Sequence, residues 1–331
     1  MILAGDIGGT KVNLGLFDLA NGRLKLAREN SYPSRRYAHL QDMVKEFLAD
    51  TTAPERACFG IAGPVRNGQV HVTNLPWEVK SAELAAELRI GSVSLINDLE
   101  ANGYGLAELP AQDLCVLNPG EPNATGNGAI ISAGTGLGEA GLYWDGAKLH
   151  PFACEGGHAD FAPLTPLDAE LFDYLEERFG RVSFERVLSG AGLFNIYQFL
   201  RDTKRGEEPA SFADALTKND PAAVISASAV KGESSRCVQA LAMFVSYYGT
   251  EAGNLALKMM ATGGVYLGGG IAPKILPRLQ QGDFLRAFFN KAPLQALMQS
   301  MPVRVILNPG TALLGAAHYA AFGPQSIATA G

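Results

Sequence analysis

The sequence has little of several features that mark whole functional classes. Charged residues make up only 18% of the chain and aromatic residues 8%. Lys and Arg number 27 against 33 Asp and Glu, a net charge of −6, and no run of basic residues occurs. That argues against nucleic acid or an anionic membrane as a partner. It also means that a polyanionic ligand has to be held by local N–H groups and a cation. The four cysteines, Cys58, Cys115, Cys154 and Cys237, are far apart and form no Cys-x-x-Cys pair. Neither a zinc knuckle nor a redox motif is suggested, and a reducing cytoplasm is the expected compartment. No stretch reaches the roughly 18 apolar residues of a membrane helix. The chain enters its first strand without the pattern of a signal peptide. The P-loop pattern Gly-x-x-x-x-Gly-Lys-[Ser/Thr] is also missing, which closes that route to nucleotide binding.

What is present begins at once. An apolar run stops at Asp6, the turn Gly8-Gly9-Thr10 follows, and apolar residues alternate again at Val12, Leu14 and Leu16. This reads as strand, glycine turn, strand. Gly8 and Gly9 can use positive φ, and their N–H groups can then converge on an anion, with Thr10 adding a hydroxyl. Asp6 suits a phosphate site only with a cation between them. Mg²⁺, which takes oxygen ligands and keeps waters, needs little more than one carboxylate and the phosphates. A plain hairpin explains the same residues.

The pattern then recurs. Residues 129–133 form an apolar run, Gly134-Thr135-Gly136-Leu137-Gly138 a second glycine turn, and residues 140–144 a second extended run. Asn21-Gly22 follows the first pair of strands and Asp145-Gly146 the second, both hairpin signals. A repeat of this kind weighs more on the fold than any single motif. A third glycine turn, Gly268-Gly269-Gly270, follows the strand expected at residues 265–267. The literal Gly-x-Gly-x-x-Gly at Gly136, Gly138 and Gly141 leads into a strand and not a helix, so it is not a dinucleotide fingerprint. Helices are expected at 37–49, 81–88, 99–107, 167–179, 192–201, 221–229, 234–260 and 311–321.

Two further segments carry chemistry. Leu95-Ile96-Asn97-Asp98 ends a strand, where Asn and Asp commonly cap the next helix. The alternative is that Asp98 takes a proton from an attacking hydroxyl while Asn97 holds its neighbour. In Glu155-Gly156-Gly157-His158-Ala159-Asp160 the Glu, His and Asp could ligate a metal. Carboxylate and imidazole also suit the vicinal hydroxyls of a sugar, and the two glycines admit a ligand close to the backbone.

These glycine turns resemble those of the actin–hexokinase–Hsp70 superfamily. Leu-Ile-Asn-Asp, Ser-Ala-Gly-Thr-Gly-Leu-Gly, Glu-Gly-Gly-His-Ala-Asp-Phe, Glu-Arg-Val-Leu-Ser-Gly and Gly-Gly-Gly-Ile-Ala-Pro, in this order, resemble bacterial glucokinases of the group without zinc. The resemblance runs from residue 2 to about 320. The Cys-rich zinc motif of the related repressor/ORF/kinase group is absent. The resemblance implies a two-lobe, ribonuclease-H-like α/β fold with a central cleft, residues 1–110 plus 309–331 forming the smaller domain and 111–308 the larger. It implies phosphorylation of glucose by ATP with Mg²⁺, and a homodimer. It implies Asp98 as base and Asn97, Glu155, His158 and Glu185 on glucose, with Asn74 and Gly63 lining the sugar site. For ATP it implies Gly5, Asp6, Ile7, Gly8, Gly9, Thr10, Gly134, Thr135, Gly136, Gly269 and Gly270, with Asp6 serving Mg²⁺ through water or phosphate. A kinase for mannose, fructose or an N-acetylated amino sugar is the nearest alternative. Glu139, an acidic residue beside a phosphate turn, is given no role.

Overall fold

The computed structural model describes residues 1–209 and 212–324; residues 325–331 of the expected smaller domain lie outside it. The chain divides into two compact units, one of Met1–Asp113, Ala140–Ala153 and the chain from Asn308 onward, the other of Leu114–Glu139 and Cys154–Leu307. The segment Ala140–Ala153 therefore groups with the first unit, where the sequence-based division leaves it with the second.

In the first unit β1 (Ile2–Ile7), β2 (Lys11–Ala20) and β3 (Arg23–Pro33) form an antiparallel meander. Asn21 and Gly22 both take positive φ, 54° and 73°, as a tight hairpin turn that matches strand twist requires. The chain continues through α1 (Leu40–Leu48), β4 (Arg56–Ile61), β5 (Gln69–His71), β6 (Glu78–Lys80), α2 (Ser81–Leu88), β7 (Ser92–Asn97) and α3 (Asp98–Gly105). The main sheet has the order β3-β2-β1-β4-β7, with β1, β4 and β7 parallel. One face buries Leu3, Val12, Leu14, Phe59 and Trp77 together with Met43 and Phe47 of α1.

The second unit brings β8 (Leu114–Asn118), β9 (Gly128–Ala133) and the start of β10 (Leu137–Trp144), which leads to β11 (Leu149–Cys154). Helices α4 (Pro166–Phe179), α5 (Gly190–Asp202), α6 (Phe212–Lys218), α7 (Pro221–Lys231) and α8 (Ser235–Met259) follow. Then come β12 (Gly264–Gly268), α9 (Leu276–Leu279), α10 (Asp283–Phe289), α11 (Gln295–Ser300) and β13 (Val303–Ile306), and α12 (Thr311–Phe322) returns to the first unit. The sheet order is β11-β10-β9-β12-β13-β8. The long helix α8 is sealed at its start by the Ser234 hydroxyl, which accepts from the Cys237 N–H. It is buried along Leu241, Phe244, Val245, Tyr248 and Ala252. The Tyr248 hydroxyl lies 3.2 Å from the Ile131 carbonyl and 3.3 Å from that of Gly268. It thereby fixes the helix to the ends of β9 and β12, the strands that carry two of the glycine turns.

In the first unit α12 packs on β1, β4 and α3. A methyl group on Gly315 would collide with the Ala101 carbonyl, and one on Gly105 with that of Thr311. The two helices thus approach at backbone distance, which only glycine allows.

Candidate active site

The first glycine turn is built differently from the sequence expectation. Gly8 and Gly9 do not take positive φ. The Gly8 N–H donates to the Lys11 carbonyl at 3.0 Å, so it closes the hairpin and is committed there. Gly5 lies within β1, where a side chain would strike the Phe59 ring, and Ile7 is fully buried. Both positions are explained by packing. Gly8 and Gly9 are half-buried, and Thr10 is exposed. Ser34, buried and unflagged in the sequence, clamps the turn from the end of β3. Its hydroxyl donates to the Gly8 carbonyl at 2.7 Å and its N–H to that of Thr10 at 3.0 Å.

Asp6 sits opposite Asn13 in the β1–β2 register and accepts from its side-chain amide at 3.2 Å. Asn13 in turn accepts from the Ser31 hydroxyl at 2.7 Å. Burial pushes the Asp6 carboxyl above its ordinary value, against the pull of Asn13 and the Lys11 charge. A cation bound there would reverse that shift. A half-buried carboxylate held by one amide fits Mg²⁺, which asks few protein ligands.

In the same unit Asn97 bonds to Gly63, and Asn74 stands beside Gly9. Asn97 does cap α3: its Oδ1 accepts from the Leu99 N–H at 2.8 Å, while Glu100 returns a bond to the Asn97 N–H at 2.9 Å. This is a full capping box. The Asn97 side-chain amide also donates to the Gly63 carbonyl at 3.2 Å. Gly63 has φ +131°, and a side chain there would meet the His71 carbonyl, so the glycine is required. Asn74 takes φ 65° and stands beside Gly9. Asp98 is the first residue of α3 and half-buried. Its Oδ1 accepts from the Leu99 N–H at 3.0 Å, which orients the carboxylate at the end of β7.

In the second unit the structure gathers Glu155, His158 and Glu185 around the start of β10. Glu185 Oε2 accepts from the Leu137 N–H at 2.9 Å and fills the space a side chain on Gly136 would need, 2.5 Å away. The turn from Glu155 to His158 lies on the same strand: a side chain on Gly157 would collide with the Leu137 carbonyl. The Phe184 N–H, beside Glu185, donates to the Ala159 carbonyl at 2.9 Å. Glu155 and His158 are themselves exposed. Asp160 faces away to Arg181 at 2.6 Å. No group of three or more His, Cys, Asp or Glu among the described residues is placed to hold a metal.

The second glycine turn is closed by the Gly134 N–H on the Gly136 carbonyl at 2.9 Å, and its Gly134 carbonyl accepts from Gly190 at the start of α5. Thr135 is exposed at its tip. The third turn lies against it. Gly269 has φ +78°, a side chain there would strike the Ala133 carbonyl, and the Ile271 N–H donates to that carbonyl at 3.2 Å. Gly269 and Gly270 are exposed.

Duplicated strand–glycine turn–strand units on two mixed sheets give the chain the α/β fold of the sugar kinases within the actin-like ATPase superfamily. Within it, a family model for glucokinase matches residues 3–322. The chain is 44% identical to a glucokinase of Trichormus variabilis, over 97% of this chain and 99% of that protein. It is 42% identical to a glucokinase of Synechocystis, over 96% and 97%. A crystal structure of glucokinase from an Antarctic psychrotroph superposes with a TM-score of 0.81 at 30% identity, covering 97% of this chain and 98% of the other. The chain belongs to the glucokinase family. The α/β fold expected from the sequence is the fold found.

Proposed function

We propose that the protein transfers the γ-phosphoryl group of ATP to the 6-hydroxyl of glucose, with Mg²⁺. The observation that carries this reading is the clustering of Glu155, His158 and Glu185 on the start of β10, in a chain with full-length glucokinase relatives. In phosphoryl transfer the transition state is loose, so catalysis rests on positioning and on neutralising charge. Glu155, His158 and Glu185 offer acceptors and an imidazole to the sugar hydroxyls, with Asn97, Asn74 and Gly63 as further sugar contacts. Asp98 takes the proton of the attacking hydroxyl. Gly9, Thr10, Thr135, Gly136, Gly269 and Gly270 hold the nucleotide. Asp6, held by Asn13, is the residue that would serve Mg²⁺, which when bound neutralises charge on the phosphates. Water competes as acceptor, so sugar binding should complete the site before transfer.

The relatives support glucose as substrate, and the free state of all four cysteines suits the cytoplasm. No helix of the described residues is long and apolar enough to cross a membrane. A homodimer rests on the family resemblance. The test is ADP formation by the purified protein with glucose, mannose, fructose and N-acetylmannosamine in turn. The reading expects glucose to give the highest kcat/KM. ATP turnover without sugar, or a clear preference for another hexose, would overturn it.

A further inference from the structure

Glu139 is buried, 2% exposed, and Glu251 on α8 is fully buried. The Oε1 atoms of both are sealed from solvent with no hydrogen-bond donor from any other described residue. The two carboxyl groups lie within hydrogen-bonding reach of each other. Two carboxylates cannot bond to each other, because each only accepts. A proton between them satisfies both, as in other close carboxyl pairs.

The pair sits directly under the proposed sugar segment. Glu139 Oε2 occupies the place that a side chain on Gly156 would take. Its neighbour Glu251 is held from the other side by the Asn254 amide at 2.8 Å. The charged and titratable groups that interact with the pair are Lys258 of α8, Lys291 beyond α10, and Cys154 at the entry to the segment. Lys291 is itself tied to the Thr250 carbonyl and to Asn254 Oδ1.

We propose that Glu139 and Glu251 are positioning residues that share one buried proton, and that this protonated pair holds the Glu155–His158 turn in its sugar-binding shape. The proposal rests on the sugar-site reading given above. Loss of the proton puts a second negative charge beneath Gly156, where burial makes it costly. The turn then has to lift to admit water, and glucose binding weakens. Burial, followed by the Glu251 charge, pushes the Glu139 carboxyl up to about 8, so the loss falls on the alkaline side of neutrality.

The test follows glucose KM and kcat for the whole enzyme from about pH 7 to about pH 9.5. The wild type should show KM rising about tenfold across this range, with a much smaller change in kcat. Glu139→Ala should raise KM at every pH. Glu139→Gln carries a permanent donor in place of the proton, so it should restore KM at pH 7 and flatten the alkaline rise. Glu251→Gln should do the same. A rise that persists in both Gln variants belongs to Cys154 or another group and overturns the proposal. An infrared spectrum of the wild type in D₂O checks the proton without any variant. A protonated-carboxyl band should be present at pH 7 and fade above about pH 8, and its absence at pH 7 overturns the proposal. Absence of glucose-dependent ADP formation at pH 7 would instead sink the glucokinase reading, with the infrared result still legible.

Discussion

The two halves of the repeat treat a buried acid in opposite ways. Beside the first glycine turn, Asp6 is half-buried, faces an amide and has a lysine two residues past Gly9. Beside the second, Glu139 is sealed against another carboxyl. Burial raises both carboxyls. The first is suited to relief by a cation from outside, the second by a proton kept inside. The same strand–turn–strand skeleton thus supplies a charged site in one unit and a neutral support in the other. The units also divide the proposed work, with Asp6 and Asp98 in the first and Glu155, His158 and Glu185 in the second. Substitutions of Asp6 and Asp98 should therefore act on kcat, and those of Glu155, His158 and Glu185 on glucose KM.

The sharpest probe of this division is Asp98→Asn. It should lower kcat by about 10²–10⁴ while glucose KM changes little, because a general base acts in the transition state. Steady-state kinetics decide it, and a kcat within threefold of wild type removes Asp98 as base. Asp6→Asn should cost about 100-fold in kcat and raise the Mg²⁺ concentration needed for half-maximal rate, as expected when a metal's charge stabilisation is lost. A Mg²⁺ titration at saturating ATP reads this, and an unchanged midpoint would break the contrast between Asp6 and Glu139. Glu155→Gln should raise glucose KM about tenfold or more, since a hydrogen bond to a charged group contributes roughly 1.5–3 kcal/mol. If kcat fell and KM did not, the split between units would be wrong.

A further effect concerns stability. A carboxyl raised in the folded state from its ordinary 4.5 to about 8 keeps its proton where the unfolded chain has released it. Stability from this group is therefore complete below about pH 4.5 and declines as pH rises toward 8, by at most about 1.4 kcal/mol per pH unit. Urea unfolding at pH 5.5, 7 and 8.5 should show a shallower decline in Glu139→Gln than in the wild type. Parallel slopes would place the proton elsewhere.

Much of this was legible in the sequence, for physical reasons. Asn21-Gly22 announces its turn because few residues accept two positive φ angles. Residues 81–88 show a helix with no competing signal, and α2 is Ser81–Leu88. The repeat itself was readable because both copies keep the same order of apolar runs and turns. Other features depend on partners distant in sequence. Gly5 looks like part of a phosphate motif, yet it is fixed by Phe59 across the sheet. Ser34 looks like an ordinary serine after a proline, yet it clamps the first turn. Glu139 is misleading next to glycines until Glu251, over a hundred residues later, is placed beside it. The strand β8 was not anticipated because its residues are only half-buried or exposed, and α9 and α11, of 4 and 6 residues, are too short to show a helical period.

The return of the chain at Asn308 has a further consequence. Asn308 ties itself to Asp113 at 2.7 Å and its carbonyl receives the Thr311 hydroxyl at 2.7 Å, which starts α12. That helix then covers β1 and β4, with the Ala321 carbonyl accepting from Arg56 at 3.1 Å. On the ribosome, β1 emerges well before its cover, which follows nearly all of the described chain. The earliest strands must wait, apolar and half-packed, while the second unit is synthesised and able to fold. Chaperone dependence and sensitivity to C-terminal truncation would both trace to that delay.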